Sequence, residues 1–329
     1  MARLTFEGVT YDGADGESVL DTLTRHGVAV PFSCRNGICL TCMMRCVKGD
    51  VPAKAQAEIR DTLRARGYFL PCVCRPESDL TLARAADGAL FGRAVVASVE
   101  PLAPRIARVR LLPATPLYYH AGQFINLRRA DGLTRSYSLA SVPARSNYLE
   151  LHVKALPGST MSAWIVDELT PETALDIDGP NGACFYVPGN AEGALLLIGN
   201  GTGLAPLIGI ARDALTSGHA GPIRLYHGSR HRPGLYLDAD LRALAVTHDN
   251  FDYVACLSGE AVADGYRAGR VEAVAFADHV DLKDWRVYLC GYPAMVHAAR
   301  KTAYLAGAAM ADIHADPFEL MDKRAVPRE

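Results

Sequence analysis

The sequence predicts a multidomain chain whose parts belong in turn to the α+β, β and α/β classes. Three observations carry this. Residues 1–88 hold four cysteines in a ligand-like spacing, residues 89–189 hold short turn-bounded strand patterns, and residues 190–329 alternate strands with a glycine loop and helices. At 329 residues the chain exceeds one ordinary domain, and with 50% hydrophobic residues each part can bury its own core. Lys plus Arg number 34 against 36 Asp plus Glu, a net charge of −2 that offers nothing to nucleic acid or to an anionic membrane. The nine cysteines are odd in number, and the N-terminus shows neither a basic nor an apolar leader pattern. We therefore expect a cytoplasmic location, with thiolates serving a metal. The uncharged run 193–211 contains five glycines, so it reads as strand, loop and helix; no membrane insertion is expected.

In the first unit, Val19, Leu20 and Leu23 share one helical face within Ser18–His26, and Asp79–Ala83 reads as a closing strand. Eleven Lys/Arg balance eleven Asp/Glu over 1–88, so steering of a partner by bulk charge should be weak. Cys34, Cys39 and Cys42 stand as C-x4-C-x2-C, and Cys72 follows at a distance. This is the plant-type ligand spacing of a [2Fe–2S] cluster, a one-electron carrier. A structural zinc site is the alternative, but it usually shows paired C-x2-C knuckles, and no second such pair is present. Cys46 and Cys74 leave the ligand set open from spacing alone.

The segment resembles the [2Fe–2S] domain of plant-type ferredoxins and of oxygenase reductases. The resemblance implies a β-grasp fold, and it favours Cys72 as fourth ligand, because Leu70-Pro71-Cys72 before Pro76 follows the family pattern. Cys74 is then a small buried neighbour. Leu40 departs from the family, which usually has Gly, Ala or Ser between the second and third ligands; a bulkier residue there is expected to shield the cluster or shift its potential.

A connection at 86–92 leads into runs Ala94–Val99, Ile106–Leu112, Gln123–Arg128, Ser136–Ala140 and Leu149–Lys154, which predict an antiparallel barrel. Arg135-Ser136-Tyr137-Ser138 lies on one of these strands. Read alone it is a solvated strand, with Arg135 and Tyr137 on one face and the serines on the other. Downstream, Gly158-Ser-Thr160-Met161-Ser162 precedes an apolar helix expected from Ala163, where hydroxyls and free N–H groups either cap the helix or hold an anion.

Both stretches resemble the ferredoxin–NADP reductase superfamily, which implies a six-stranded FAD barrel. By that resemblance Arg135 pairs with the FAD pyrophosphate, Tyr137 packs on the isoalloxazine and Ser138 approaches N5. The implied flavin set also takes in Ser136, His152, Val153 and Lys154, with Thr160, Met161 and Ser162 at the pyrophosphate. A guanidinium and an aromatic ring suit a phosphate and a flat heterocycle.

From Ala191 onward the runs Leu195–Ile198, Leu204–Ser217, Ile223–Tyr226, Tyr253–Ser258 and Val287–Cys290 predict a doubly wound parallel sheet. Gly199, Gly201, Thr202 and Gly203 join the first strand to its helix, where glycines let a pyrophosphate approach the helix start. The loop resembles the superfamily's nicotinamide site, and Cys290-Gly291 with Met295 resembles its second signature, whose cysteine stands near the nicotinamide and N5. An ordinary buried cysteine is the alternative. Phe318 in His314-Ala-Asp-Pro-Phe318 resembles the aromatic that covers the flavin, although eleven residues follow it here. Arg230 and Arg232 permit NADPH, while NADH-using relatives carry a similar arginine; NADH is the preferred expectation.

The resemblance covers nearly the whole chain and implies the reductase component of a bacterial multicomponent oxygenase. Hydride would pass from NADH or NADPH to FAD, and single electrons through the [2Fe–2S] cluster to a terminal oxygenase or hydroxylase component. Ser138, Cys290 and Phe318 are the residues implied at the reacting atoms, and a monomer is expected. The alternatives are the reductase partner of a deoxysugar dehydrase, with the same modules, and a redox-sensing module without turnover.

Overall fold

The computed structural model describes residues 2–59, 61–85, 91–260, 262 and 264–318. The connection expected at 86–92 and the tail after Phe318 fall largely outside them. In the first unit, β1 (Arg3–Phe6), β2 (Val9–Asp12), α1 (Val19–Arg25), β3 (Met44–Lys48), α2 (Asp61–Arg64), β4 (Tyr68–Phe69) and β5 (Leu80–Arg84) follow in order. The sheet runs β2-β1-β5-β3-β4, with β1 and β5 parallel, and it grasps α1 through Leu4, Phe6, Leu20, Leu23, Phe69 and Leu82. Ser18 caps α1, its Oγ accepting from the Asp21 N–H at 3.1 Å.

The second unit holds β6 (Gly92–Ala103), β7 (Ile106–Pro113), β8 (Phe124–Arg128), β9 (Thr134–Ser138), β10 (Leu149–Lys154), α3 (Thr160–Asp167) and β11 (Ala174–Asn181). Every neighbouring pair in the order β10-β7-β6-β11-β8-β9 is antiparallel, and inward residues such as Val109, Ile125, Leu127, Leu151 and Ile165 fill the barrel. Strand β11 was not among the sequence-derived runs, because it contains Gly179-Pro180; a register shift between Asp178 and Asn181 accommodates them. The helix expected from Ala163 begins instead at Thr160. Its cap is Ser159, whose Oγ accepts the Ser162 N–H at 3.3 Å, so neither Thr160 nor Ser162 is the capping residue.

The third unit holds β12 (Leu195–Asn200), α4 (Leu204–Thr216), β13 (Ile223–Ser229), α5 (Asp238–Thr247), β14 (Phe251–Leu257), β15 (Arg267–Ala268), α6 (Val271–Asp278), β16 (Arg286–Gly291), α7 (Pro293–Leu305) and β17 (Ile313–Pro317). All six strands are parallel in the order β15-β14-β13-β12-β16-β17. Alternate residues feed two cores: Leu195, Leu197 and Leu225 pack with α4, whereas Leu196, Ile198 and Leu289 face α6 and α7. The chain winds outward from β12 in both directions, so the β12–β16 junction is the switch point where such sheets bind ligands. No helix among the described residues is long and apolar enough to cross a membrane.

Candidate functional site: three converging cofactor sites

The cysteine loop runs from Cys34 to Cys42 and feeds directly into β3. Arg35, Gly37 and Leu40 have φ of 58°, 79° and 57°, and this repeated left-handed turning curls the loop around its sulfurs. The Cys34 sulfur accepts the N–H groups of Asn36 at 3.3 Å and Cys39 at 3.5 Å. Cys72 is delivered by a separate device. The first turn of α1 donates its Val19 and Leu20 N–H groups to Cys74 O (2.9 Å) and Pro71 O (3.1 Å), clamping the segment on both sides of Cys72.

The four sulfurs form two hydrogen-bonded pairs, Cys34 with Cys39 and Cys42 with Cys72. Cys39 sharing its proton, helped by loop N–H groups, holds Cys34 down at about 5 against the pull of burial. Cys42 likewise lowers Cys72, while their two partners are pushed up. Among the described residues no three His, Cys, Asp or Glu side chains converge as ligands of one ion. Four thiols with backbone N–H groups donating to sulfur suit a two-iron cluster. Cys74 is fully buried in the core beneath the sheet, and burial raises its thiol to about 12. Leu40 is 6% exposed and packs with Cys42, Met43, Ile59 and Leu70, which makes it an apolar wall beside the ligands.

The barrel is not fully zipped. Among the described residues β9 pairs along its length only with β8, and β10 only with β7; Leu139↔Leu151 is the bridge between the two sides. Arg135–Ser138 lines one lip of this seam and His152–Lys154 the other. No ladder joins the lips among the described residues, so backbone groups of Ser136–Ser138 as well as side chains face the seam, the chemistry a flavin edge requires. The Val153 side chain lies in the barrel core, so only its backbone faces the seam. His152 is buried with Nδ1 3.2 Å from Tyr236 Oη and Nε2 3.1 Å from Glu150 Oε1. Ser136 Oγ donates to Asn126 Oδ1 at 2.7 Å, while Tyr137 packs on the barrel core. At α3, Thr160 and Met161 are the first two helical residues, whose N–H groups have no helical acceptor and suit a pyrophosphate. The Met161 side chain is core, and Ser162 Oγ accepts the Leu156 N–H at 3.1 Å.

The glycine loop closes against the second signature. A Cβ on Gly203 would stand 2.3 Å from Cys290 O, and one on Gly291 would stand 2.3 Å from Asn200 Oδ1, so both glycines are required for contact. Gly201 has φ 54° and open space at its Cβ position, leaving its backbone approachable. Met295 is a core residue of α7. Cys290 is buried, 3.6 Å from the Cys184 sulfur, and burial pushes its thiol well up. Phe318 donates its N–H to Gly291 O at 2.8 Å. One residue at this meeting point was not singled out from the sequence: Asp316, paired in register with Cys290, accepts at Oδ2 from Ser138 Oγ at 3.0 Å. Burial lifts this carboxyl from 3.8 to about 6, against the Ser138 hydrogen bond. Ser138, Cys290 and Asp316 thus meet where barrel and parallel sheet abut.

Residues 4–77 match the 2Fe-2S iron-sulfur cluster binding domain, 98–186 the oxidoreductase FAD-binding domain and 197–301 the oxidoreductase NAD-binding domain. Over 312 residues the chain is 31% identical to the ferredoxin–NAD(P)+ reductase component of the naphthalene 1,2-dioxygenase system of Pseudomonas putida, covering 92% of this chain and 94% of that one. The chain belongs to the ferredoxin–NAD(P)+ reductase family. This reductase is also 36% identical over 309 residues to the reductase subunit of an aromatic O-demethylase from Amycolatopsis, with 89% and 91% of the two chains covered. Its structure matches that of the Amycolatopsis cytochrome P450 reductase GcoB with a TM-score of 0.69 and 32% identity, over 97% and 99% of the chains. It is an oxidoreductase built on FAD, NAD(P) and 2Fe-2S domains.

Proposed function

We propose that the reductase draws electrons from NAD(P)H and delivers them singly to an oxygenase component. The observation that carries this reading is the meeting of Ser138, Cys290 and Asp316, because it sets the flavin lip against the carboxyl end of the dinucleotide sheet. A flavin held there would supply the conversion of a two-electron hydride into single electrons, and a cluster held by the cysteines would carry them onward. The chain's own residues do the rest. Gly201, Thr202 and Gly203 cradle the dinucleotide phosphates at the start of α4, and the buried neutral thiol of Cys290 excludes water from the contact. Below about pH 6 Asp316 holds a proton, and Ser138 Oγ donates to its Oδ2, which links this buried acid to the flavin lip. Arg135 and the α3 start anchor the flavin phosphates, and the two cysteine pairs hold the irons.

The relatives named above serve oxygenase or demethylase systems, which supports an oxygenase as the partner. Anaerobic addition of NADH, and separately NADPH, to the holoprotein should bleach both flavin and cluster absorbance. An unchanged spectrum with both dinucleotides would overturn the proposal. Oxygen-dependent hydroxylation in a mixture with the oxygenase component should require the reductase.

A further inference from the structure

We propose that Glu260 makes this reductase select NADH over NADPH. The inference rests on the reading of the glycine loop as the dinucleotide site. In sheets of this class an acid at the end of the second strand accepts from the NAD ribose 2′-hydroxyl, and a basic residue there receives the NADP 2′-phosphate. Here the segment after β13 is Arg230-His231-Arg232, with no acid of its own. The fold brings one from elsewhere.

Strands β13 and β14 pair in parallel up to Ser229↔Leu257, so the loops leaving their carboxyl ends run side by side. The Ser258 N–H reaches Ser229 O at 3.1 Å, and the Gly259 N–H reaches Arg230 O at 2.9 Å. A Cβ on Gly259 would lie 2.4 Å from Arg230 Cγ, so glycine there permits this approach. Glu260 then turns back over the basic segment. Its Oε1 accepts the Arg232 N–H at 2.6 Å, and its Oε2 lies 3.2 Å from His231 Nδ1. The Arg232 guanidinium is drawn off to the Tyr266 ring, 5.3 Å from its centroid.

The Arg232 N–H and the His231 ring are therefore already occupied by a carboxylate, which places a negative charge beside the Arg230 and Arg232 side chains that a 2′-phosphate would need. That carboxylate remains 35% exposed, able to accept from a ribose hydroxyl and to repel a dianion. Glu260→Gln keeps an acceptor for the Arg232 N–H and removes only the charge.

The test uses the holoprotein. In the parent, NADH should be preferred; in Glu260→Gln the ratio of kcat/KM for NADPH to that for NADH should rise about tenfold or more, with NADH itself losing a few-fold. Calorimetry should show adenosine 2′,5′-bisphosphate binding more tightly to Glu260→Gln than to the parent, relative to adenosine 5′-monophosphate. An unchanged ratio with intact NADH turnover overturns the role of Glu260 alone, as does a parent that prefers NADPH. If neither dinucleotide reduces the parent, the glycine-loop reading fails and takes this inference with it.

Discussion

The cysteine loop and the barrel–sheet seam are built on opposite scales. Three of the four proposed cluster ligands fall within the nine residues 34–42, and their arrangement depends on local left-handed turns. At the seam, Ser138 and Asp316 are 178 residues apart and meet only because two separate sheets are in register and abut. A site made within one loop is specified by spacing, and its failures should be confined to that loop. A site made by register is specified by packing, so a change anywhere along the contact should be felt by both cofactor sites.

The largest expected effect tests the first half of this contrast. Cys72→Ser should abolish cluster absorbance and cut transfer to a one-electron protein acceptor by at least about a hundredfold, while flavin-dependent dye reduction persists. Cys74→Ser should keep the cluster and lose about 1–3 kcal/mol of stability in urea, because it buries a hydroxyl in an apolar core. The reverse outcome would reassign the fourth ligand.

Next in size, Gly203→Ala should break the second half. Its methyl would collide with Cys290 O, so KM for the dinucleotide should rise about tenfold or more. Stability should fall by roughly 1–3 kcal/mol, and the flavin spectrum should shift although no flavin residue is altered. A variant that changes dinucleotide KM alone would show the two sites to be independent.

The effect sharpest in sign concerns Asp316. Its folded-state value of about 6 exceeds the ordinary 3.8, so the folded chain keeps a proton that the unfolded chain releases over that interval. The carboxyl's contribution is therefore favourable at low pH and is lost as pH rises through about 6. Asp316→Asn should leave stability nearly unchanged at about pH 4 and raise it by up to about 3 kcal/mol at about pH 8, read by urea unfolding. The same variant should lower kcat about tenfold and erase an inflection near pH 6 from its profile.

What was legible in the sequence follows the same division. The cysteine spacing, the glycine loop and nearly all the long strands could be read because each is a local pattern. Strand β11 was hidden by Gly179-Pro180, and the start of α3 was misplaced because Ser159, and not a later hydroxyl, makes the cap. Glu260 carries no local signature, and Asp316 lies in the His314–Phe318 motif without being marked out by it. The role proposed for each depends on the fold setting it beside a residue distant in sequence, Ser138 for Asp316 and Arg232 for Glu260.

The incompletely zipped barrel has a consequence for biogenesis. A strand edge that pairs on one side with β8, as Ser136–Ser138 does, is an adhesive surface until something occupies the other side, and another chain's strand would serve as well as a flavin. Folding yield should thus track the riboflavin supply of the producing cell, with chains made in its absence lost to aggregation before any cluster is assembled.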